Sequence, residues 1–342
     1  MNFLSLNKMI NPVQNQKGSL LILVLFALMT LSLLAFSVGH TIQQKFLVAS
    51  RLDSRENLRL AAEAAAKQVS QFLSEKGSGA SYHALNQMWA QNEGLWKKAS
   101  LGSIEYSILA STEGSSSAAY GLMDEDRKIN VHSANATALQ NLFVFAAGVE
   151  PESARRIVAS IQDWRDEDED FRDGGAESKT YLNRQSPYRA KNGLFNDLQE
   201  LFWVEGITPE IFKKIKPYLT LDASLVNINT ASQIVLKAMG MNDTIASKIL
   251  TFREGQDQKI GTADDGVFTS LSEVPDKLER YIYLNEADRA ALGSLLGSGF
   301  SVSSTCFFAN IEAHLRYQNR RMVAHVVFNS DGVIQKWHEE FF

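Results

Sequence analysis

Cysteine is nearly absent: Cys306 is the one thiol in 342 residues. No intrachain disulfide can form, so packing or bound ions must stabilise whatever domain is built. Proline is scarce, six in all, and no low-complexity tract occurs, which argues against a disordered chain. A basic field is missing too. Lys and Arg number 34 against 39 Asp and Glu, a net charge of −5, so no global attraction draws the chain to nucleic acid. Catalytic signatures are equally lacking: no His-Glu metal motif, no Gly-x-Ser-x-Gly elbow, no phosphate-cradling glycine loop. His40, His83, His132, His314, His325 and His338 are scattered and read as surface or strand residues. An enzyme is the weakest reading.

What is present begins with an uncharged run of 20 residues, Ser19 to Val38. As a helix it spans about 30 Å, the thickness of a bilayer's hydrocarbon core. Lys8 and Lys17 precede it and no acidic residue comes before Asp53, so the N-terminus is expected in the cytoplasm and the rest outside. Three readings compete. A secretory signal would be cut near Ala35-Phe36-Ser37, although the run exceeds the usual apolar core of about 7–15 residues. A plain anchor needs nothing special at Gly18. A prepilin-type leader would be cut between Gly18 and Ser19, leaving the apolar run in the mature chain.

Leu58, Ala62, Ala65, Val69 and Phe72 share one helical stripe. They belong either to a separate helix packed on its own domain or to one helix from Ser19 to about Glu75, roughly 85 Å long. Gly39 is its weak point, and Lys76-Gly77-Ser78-Gly79 is a stop signal. Strand patterns are far apart: Ile104 to Leu109, then runs from Phe300 onward with a turn at Asn329-Ser330-Asp331-Gly332. They predict an antiparallel sheet with one face buried.

Between them the sequence repeats itself. Ile129-Asn130-Val131-His132-Ser133-Ala134 answers Val226-Asn227-Ile228-Asn229-Thr230-Ala231, and GVEPESARRI (148–157), GITPEIFKKI (206–215) and GMNDTIASKI (240–249) align with one another. Each copy reads as a glycine-ended helix, a capped start and a second helix, the outline of a helix-hairpin-helix. Nucleic-acid-binding hairpins place a second glycine where Glu150, Thr208 or Asn242 stands here. That change and the acidic surroundings disfavour phosphate.

The stretch from Asp163 to Glu177 holds eight carboxylates in fifteen residues, against Arg165 and Arg172. Asp166-x-Asp168-x-Asp170, with Glu177 at the twelfth place, echoes the ligand spacing of an EF-hand loop, but Phe171 occupies the place that needs glycine. The loop is either a calcium site, with Asp166, Asp168, Asp170, Asp173 and Glu177 as ligands, or a solvated acidic loop. A second loop, 255–266, offers Asp257, Asp264 and Asp265 to another calcium, with a surface turn as the simpler account.

Taken together, the Gly18–Ser19 junction, Ile129-Asn130-Val131, Ile161-x-Asp163-Trp164-x-Asp166, Gly175-Ala176-Glu177, Tyr181, Tyr188, Lys191-Asn192, Glu200-Leu201 and Val226-Asn227-Ile228-Asn229-Thr230-Ala231-Ser232 resemble the K-type minor pseudopilins of bacterial type II secretion, the general secretion pathway protein K family. The resemblance implies prepilin-peptidase cleavage after Gly18, N-methylation of Ser19, and bound calcium. It implies an α+β fold in which a pilin-like long N-terminal helix and antiparallel sheet are interrupted by a large all-α insertion with helix-hairpin-helix-like repeats. Residues 1–18 would be the leader, 19–39 the transmembrane helix, 40–125 and 298–342 the pilin-like α/β domain, and 126–297 the insertion. Most pilin-like proteins carry a glutamate at the fifth mature position. Here it is Leu23, which also fits the K-type subunit. The expectation is a structural subunit at the tip of a periplasmic pseudopilus, single-pass in the inner membrane, with other minor pseudopilins as partners and no nucleic acid. The alternative is a membrane-anchored periplasmic helix-hairpin-helix protein that binds DNA.

Overall fold

The computed structural model describes residues 17–76, 79–110, 119–317 and 319–342, with the backbone alone at 17–19. The expected leader, 1–18, lies outside the described residues except for the backbone of its last two positions. Helix α1 (Lys17–Lys76) is 60 residues long and passes through Gly39 without a break. Residues up to Asn57 form one unit and Leu58–Phe342 another. In the first, the helix is long and apolar enough to cross a membrane. Its apolar side chains face outward, with Leu20 69 %, Leu23 67 % and Phe36 75 % exposed. Hydroxyls on Thr30, Ser32 and Thr41 donate to carbonyls three or four residues earlier, which satisfies these three within the helix.

The second unit starts with the end of α1, followed by α2 (Glu93–Trp96), β1 (Ala99–Leu101), β2 (Ile104–Ala110), β3 (Ala119–Tyr120) and β4 (Met123–Asp124). After β5 (Ile129–Asn130) the chain turns mostly helical: α3 (Ala136–Leu142), α4 (Pro151–Arg165), α5 (Ser178–Leu182) and α6 (Pro209–Ile215). Next come β6 (Leu219–Thr220), β7 (Val226–Asn227), α7 (Gln233–Ala238), α8 (Asp243–Arg253), α9 (Val274–Leu278) and α10 (Glu286–Gly299). Strands β8 (Phe300–Ser301), β9 (Cys306–Leu315), β10 (Arg321–Asn329) and β11 (Ile334–Phe341) close the chain.

One antiparallel sheet runs in the order β1-β2-β9-β10-β11, with β3 beside β2 and β4 beside β9. Its centre pairs strands about two hundred residues apart, Ile108 opposite Ile311. One face buries Ile108, Ile311, Ala313, Ala324, Val326 and Phe328 in a core shared with the α1 stripe, Leu58, Ala62, Ala65 and Val69. Alanine on both surfaces shortens the approach of helix to sheet, and Phe307 and Leu73 fill what remains. Phe72 is partly buried at the margin, edge-on to Trp96 at 5.1 Å.

The mostly helical segment between β4 and β9 has a separate core, from Ile129 to Phe300. Two short parallel pairs punctuate it, β5 with β6 and β7 with β8. The repeated Ile-Asn/Val-Asn dipeptides form β5 and β7. Asn130 Oδ1 accepts the His132 amide at 2.7 Å and Asn227 Oδ1 the Asn229 amide at 2.9 Å, so each asparagine turns a short strand toward the next helix. Gly148, Gly206 and Gly240 all have left-handed φ. Glu150, Thr208 and Asn242 are the N-caps that follow, and their side chains accept the Glu152, Ile211 and Ile245 amides. A phosphate-binding hairpin needs bare amides at such a turn, and here each cap takes one.

Sheet and insertion meet at a buried polar seam. Asp124 Oδ2 accepts from Asn227 Nδ2, Thr230 Oγ1 and Ser304 Oγ at 3.1, 2.5 and 2.7 Å. Asp126 accepts the Thr305 and Cys306 amides. Burial pushes both carboxyls up, Asp126 to about 7 with the Asp124 charge adding to it. His83 Nδ1 accepts the Ser304 amide at 2.8 Å, and burial pushes this imidazole down to about 4, keeping it neutral.

Candidate metal centre

Helix α4 begins at Pro151 behind the Glu150 cap and buries Ile157, Val158, Ile161 and Trp164. Its C-cap, Asp166, is extended, so the chain leaves the helix there and carries the acidic residues out into a loop. The loop is tied back by Asp163, which is fully buried. Asp163 accepts the Arg172 amide at 3.1 Å and the Arg172 guanidinium at 2.7 Å. Gly174 (φ +78°) turns the chain, and Gly175 passes so close that a Cβ on it would lie 2.0 Å from Asp163 Oδ2. No other residue fits there. The return brings Glu177 to the start of α5, against Asp166.

Asp166, Asp168 and Glu177 each present a carboxylate oxygen, and the three atoms lie within 4.8 Å of one another. Among the described residues no other three such side chains converge as closely. Glu177 is 2 % exposed, and neither of its carboxylate oxygens has a hydrogen-bond partner. Asp166 Oδ1 is likewise buried without a partner, while its other oxygen pairs with Arg172. A fourth such oxygen is Asn192 Oδ1, whose amide nitrogen donates to the Asp168 carbonyl at 3.2 Å and to Glu169 at 3.3 Å. Burial pushes the Glu177 carboxyl up to about 7, with the charges of Asp163, Asp166, Glu169 and Asp168 adding to it. Buried acceptors with nothing to accept are costly. A proton relieves one oxygen; a divalent cation relieves the set. Oxygen-only donors with no histidine or cysteine among them suit a hard cation such as calcium rather than zinc.

Asp170 and Asp173 lie outside this group. Asp170 is exposed and gives its amide to Asp168 Oδ1 at 2.9 Å, and Asp173 pairs with Arg155 at 3.1 Å. In the second loop the carboxylates bind their own backbone. Asp264 Oδ2 accepts the Gln256 and Asp257 amides at 2.7 and 3.1 Å, and its other oxygen accepts from Thr262. Asp265 accepts the Gly261 and Thr262 amides, and Asp257 the Lys259 amide. Of the processing pair, Gly18 and Ser19, only the helical backbone is described.

Asn192, with its unpartnered buried Oδ1, was not among the sequence candidates. Its signal was available, because Lys191-Asn192 sits in the motif set and Asn192 has left-handed φ (+48°). The other motif residues gather round the same place. Trp164 meets Tyr181 edge-on at 5.2 Å, Tyr181 stacks on Tyr188, and Lys191 pairs with Glu200 at 2.7 Å.

Comparison with known proteins agrees in direction. Residues 114–223 match the profile of type II secretion system protein K. The type II secretion system protein K of Pectobacterium carotovorum subsp. carotovorum is 33% identical over 107 residues, 30% of this chain and 33% of that protein. Its counterpart from Dickeya chrysanthemi is 30% identical over 138 residues, 38% of this chain and 37% of that one. The matched segments thus span about a third of the length of these curated relatives. A chain in the crystal structure of the GspK-GspI-GspJ complex of the enterotoxigenic Escherichia coli type 2 secretion system has the same fold. The TM-score is 0.63 at 17% identity, covering 86% of this chain and 99% of that one. The architecture is α+β: a long N-terminal helix, an antiparallel sheet and a helical insertion.

Proposed function

We propose that this chain is a minor pseudopilin of type II secretion, placed at the tip of a periplasmic pseudopilus. The observation that carries the reading is architectural. A membrane-length apolar helix continues into a helix-backed antiparallel sheet, and a folded insertion with its own core interrupts that sheet between β4 and β9. The long helix packs into the filament, and the insertion blocks a further subunit above it. Leu23 supports the same placement: a subunit without a carboxylate there can begin a filament but offers none to an N-terminus above. The role is structural, without catalysis, and its partners are other minor pseudopilins. The prepilin peptidase cuts after Gly18, Ser19 becomes the methylated N-terminus, the helix anchors the chain in the inner membrane, and the domain stands in the periplasm. Calcium held by Asp166, Asp168, Glu177 and the Asn192 carbonyl supports the insertion.

Intact mass of the membrane-extracted chain, read together with secretion, tests this. A mature chain beginning at methylated Ser19 is expected, and Leu23→Glu is expected to disturb secretion while leaving membrane insertion intact. A mature N-terminus near Val38, or secretion by Leu23→Glu equal to the parent's, would overturn the tip assignment.

A further inference from the structure

The sheet has a second face, opposite α1, that the core does not use. Cross-strand register sets His325 on β10 directly against His338 on β11, and Glu340 follows two residues later on the same face. The two imidazoles lie nearly parallel, centroids 6.1 Å apart and planes 19° apart. His325 also stacks on Phe308 of β9 at 6.1 Å and 13°. Glu340 Oε1 lies 3.8 Å from Nε2 of both histidines.

We propose that His325, His338 and Glu340 form a surface site for a divalent transition-metal ion, zinc foremost. Two imidazole nitrogens and one carboxylate are the donor set such ions take, and the remaining position is open to water. The hydrogen bond on the far side of His325 fixes the tautomer. Its Nδ1 is 2.5 Å from Asn310 Oδ1, so Nδ1–H donates to that carbonyl and the Nε2 lone pair faces Glu340. Asn310 itself is 8 % exposed, and Phe308 sets the ring's plane, so this arm is held in place before a metal arrives. His338 is the exposed arm. Its side chain is 73 % exposed on the edge strand and can turn toward the carboxylate. Ligand atoms around a tetrahedral zinc stand about 3.3 Å apart, so each 3.8 Å imidazole–carboxylate separation has to close only slightly, while the two imidazoles, 6.1 Å apart between centroids, have to be drawn together by rotation of His338. This site shares no residue with the acidic loop, and its nitrogen donors select a different ion.

The test is calorimetric titration of the full-length chain in detergent with zinc chloride at neutral pH, with calcium in excess so that the acidic loop does not take up zinc. One zinc per chain is expected. His338→Ala, on the exposed edge, is expected to weaken it at least tenfold, about 1.4 kcal/mol. His325→Phe, which keeps a ring against Phe308, is expected to abolish it, and Glu340→Gln to weaken it less than His338→Ala does. Circular dichroism checks that each variant is folded. Absence of zinc binding in the parent, or an isotherm unchanged in His338→Ala, overturns the proposal.

Discussion

Two acidic loops in this chain look alike as sequence and differ as chemistry. The loop from Asp163 to Glu177 leaves buried carboxylate oxygens on Asp166 and Glu177 with no partner. The loop from Gly255 to Gly266 spends its carboxylates on its own amides: Asp264 serves Gln256 and Asp257, Asp265 serves Gly261 and Thr262, and Asp257 serves Lys259. Counting acidic residues does not distinguish them. What matters is whether backbone donors have already taken the oxygens, because an oxygen without a donor in a buried place needs a cation or a proton.

The sharpest way to break this contrast is to strip the full-length chain of metal and follow its thermal unfolding in detergent. Calcium at a hundred times its dissociation constant is expected to add about 2.7 kcal/mol. Asp166→Asn with Glu177→Gln is expected to remove that gain, whereas Asp264→Asn leaves it in place. A gain that survives the double variant would move the metal elsewhere.

Gly175→Ala comes next. A Cβ there collides with Asp163, so about 2 kcal/mol of stability is expected to go, in chelator as well as in calcium. A neutral Gly175→Ala would mean that the loop is not held against α4 as described.

Protonation gives the third test. The folded-state carboxyl of Glu177 sits at about 7, above the ordinary range near 4.5. The metal-free folded state therefore holds a proton that the unfolded chain releases. The stabilisation from that proton is full below about pH 4.5 and fades as pH rises through 7. Metal-free Glu177→Gln is thus expected to melt higher than the parent at pH 8 and almost with it at pH 4.5. The calcium-induced rise of the parent is expected to be larger at pH 8 than at pH 5.5. Equal melting of parent and Glu177→Gln at pH 8 would remove the buried charge from the account.

Smaller effects separate the loops further. Asp264→Asn is expected to lower the melting temperature slightly and by the same amount in calcium and in chelator, since it loses acceptors for amides rather than a ligand. Asp170→Ala, on an exposed side chain outside the group, is expected to change neither the melting temperature nor the calcium response. A calcium-dependent loss in either variant would blur the contrast.

Much of the fold could be read in advance. The α1 stripe, the two distant strand regions and the glycine-then-cap repeats depend on local spacing, and the observed helix, sheet and caps follow them closely. Less of the site could be read. EF-hand spacing pointed to Asp166, Asp168 and Glu177 together with Asp170, but that spacing assumes a turn at the sixth place. Phe171 cannot supply it, and the turn comes later, at Gly174 and Gly175, which changes which oxygens face inward. Asn192 enters from a segment fifteen residues beyond Glu177, through a contact no local pattern contains.

By itself the sequence determined the membrane-length helix, the alternation of the last three strands and the positions of the helix caps, because each depends on interactions a few residues apart. It also determined that no disulfide would hold the fold. Only the tertiary structure decided which carboxylates were left unpartnered, how Asp124 and Asp126 came to join sheet and insertion, and that His325 would face His338 across two strands. The physical reason is common to all three. Whether a polar atom is satisfied depends on what stands next to it in space, and for these groups the neighbour comes from another turn, strand or domain of the chain.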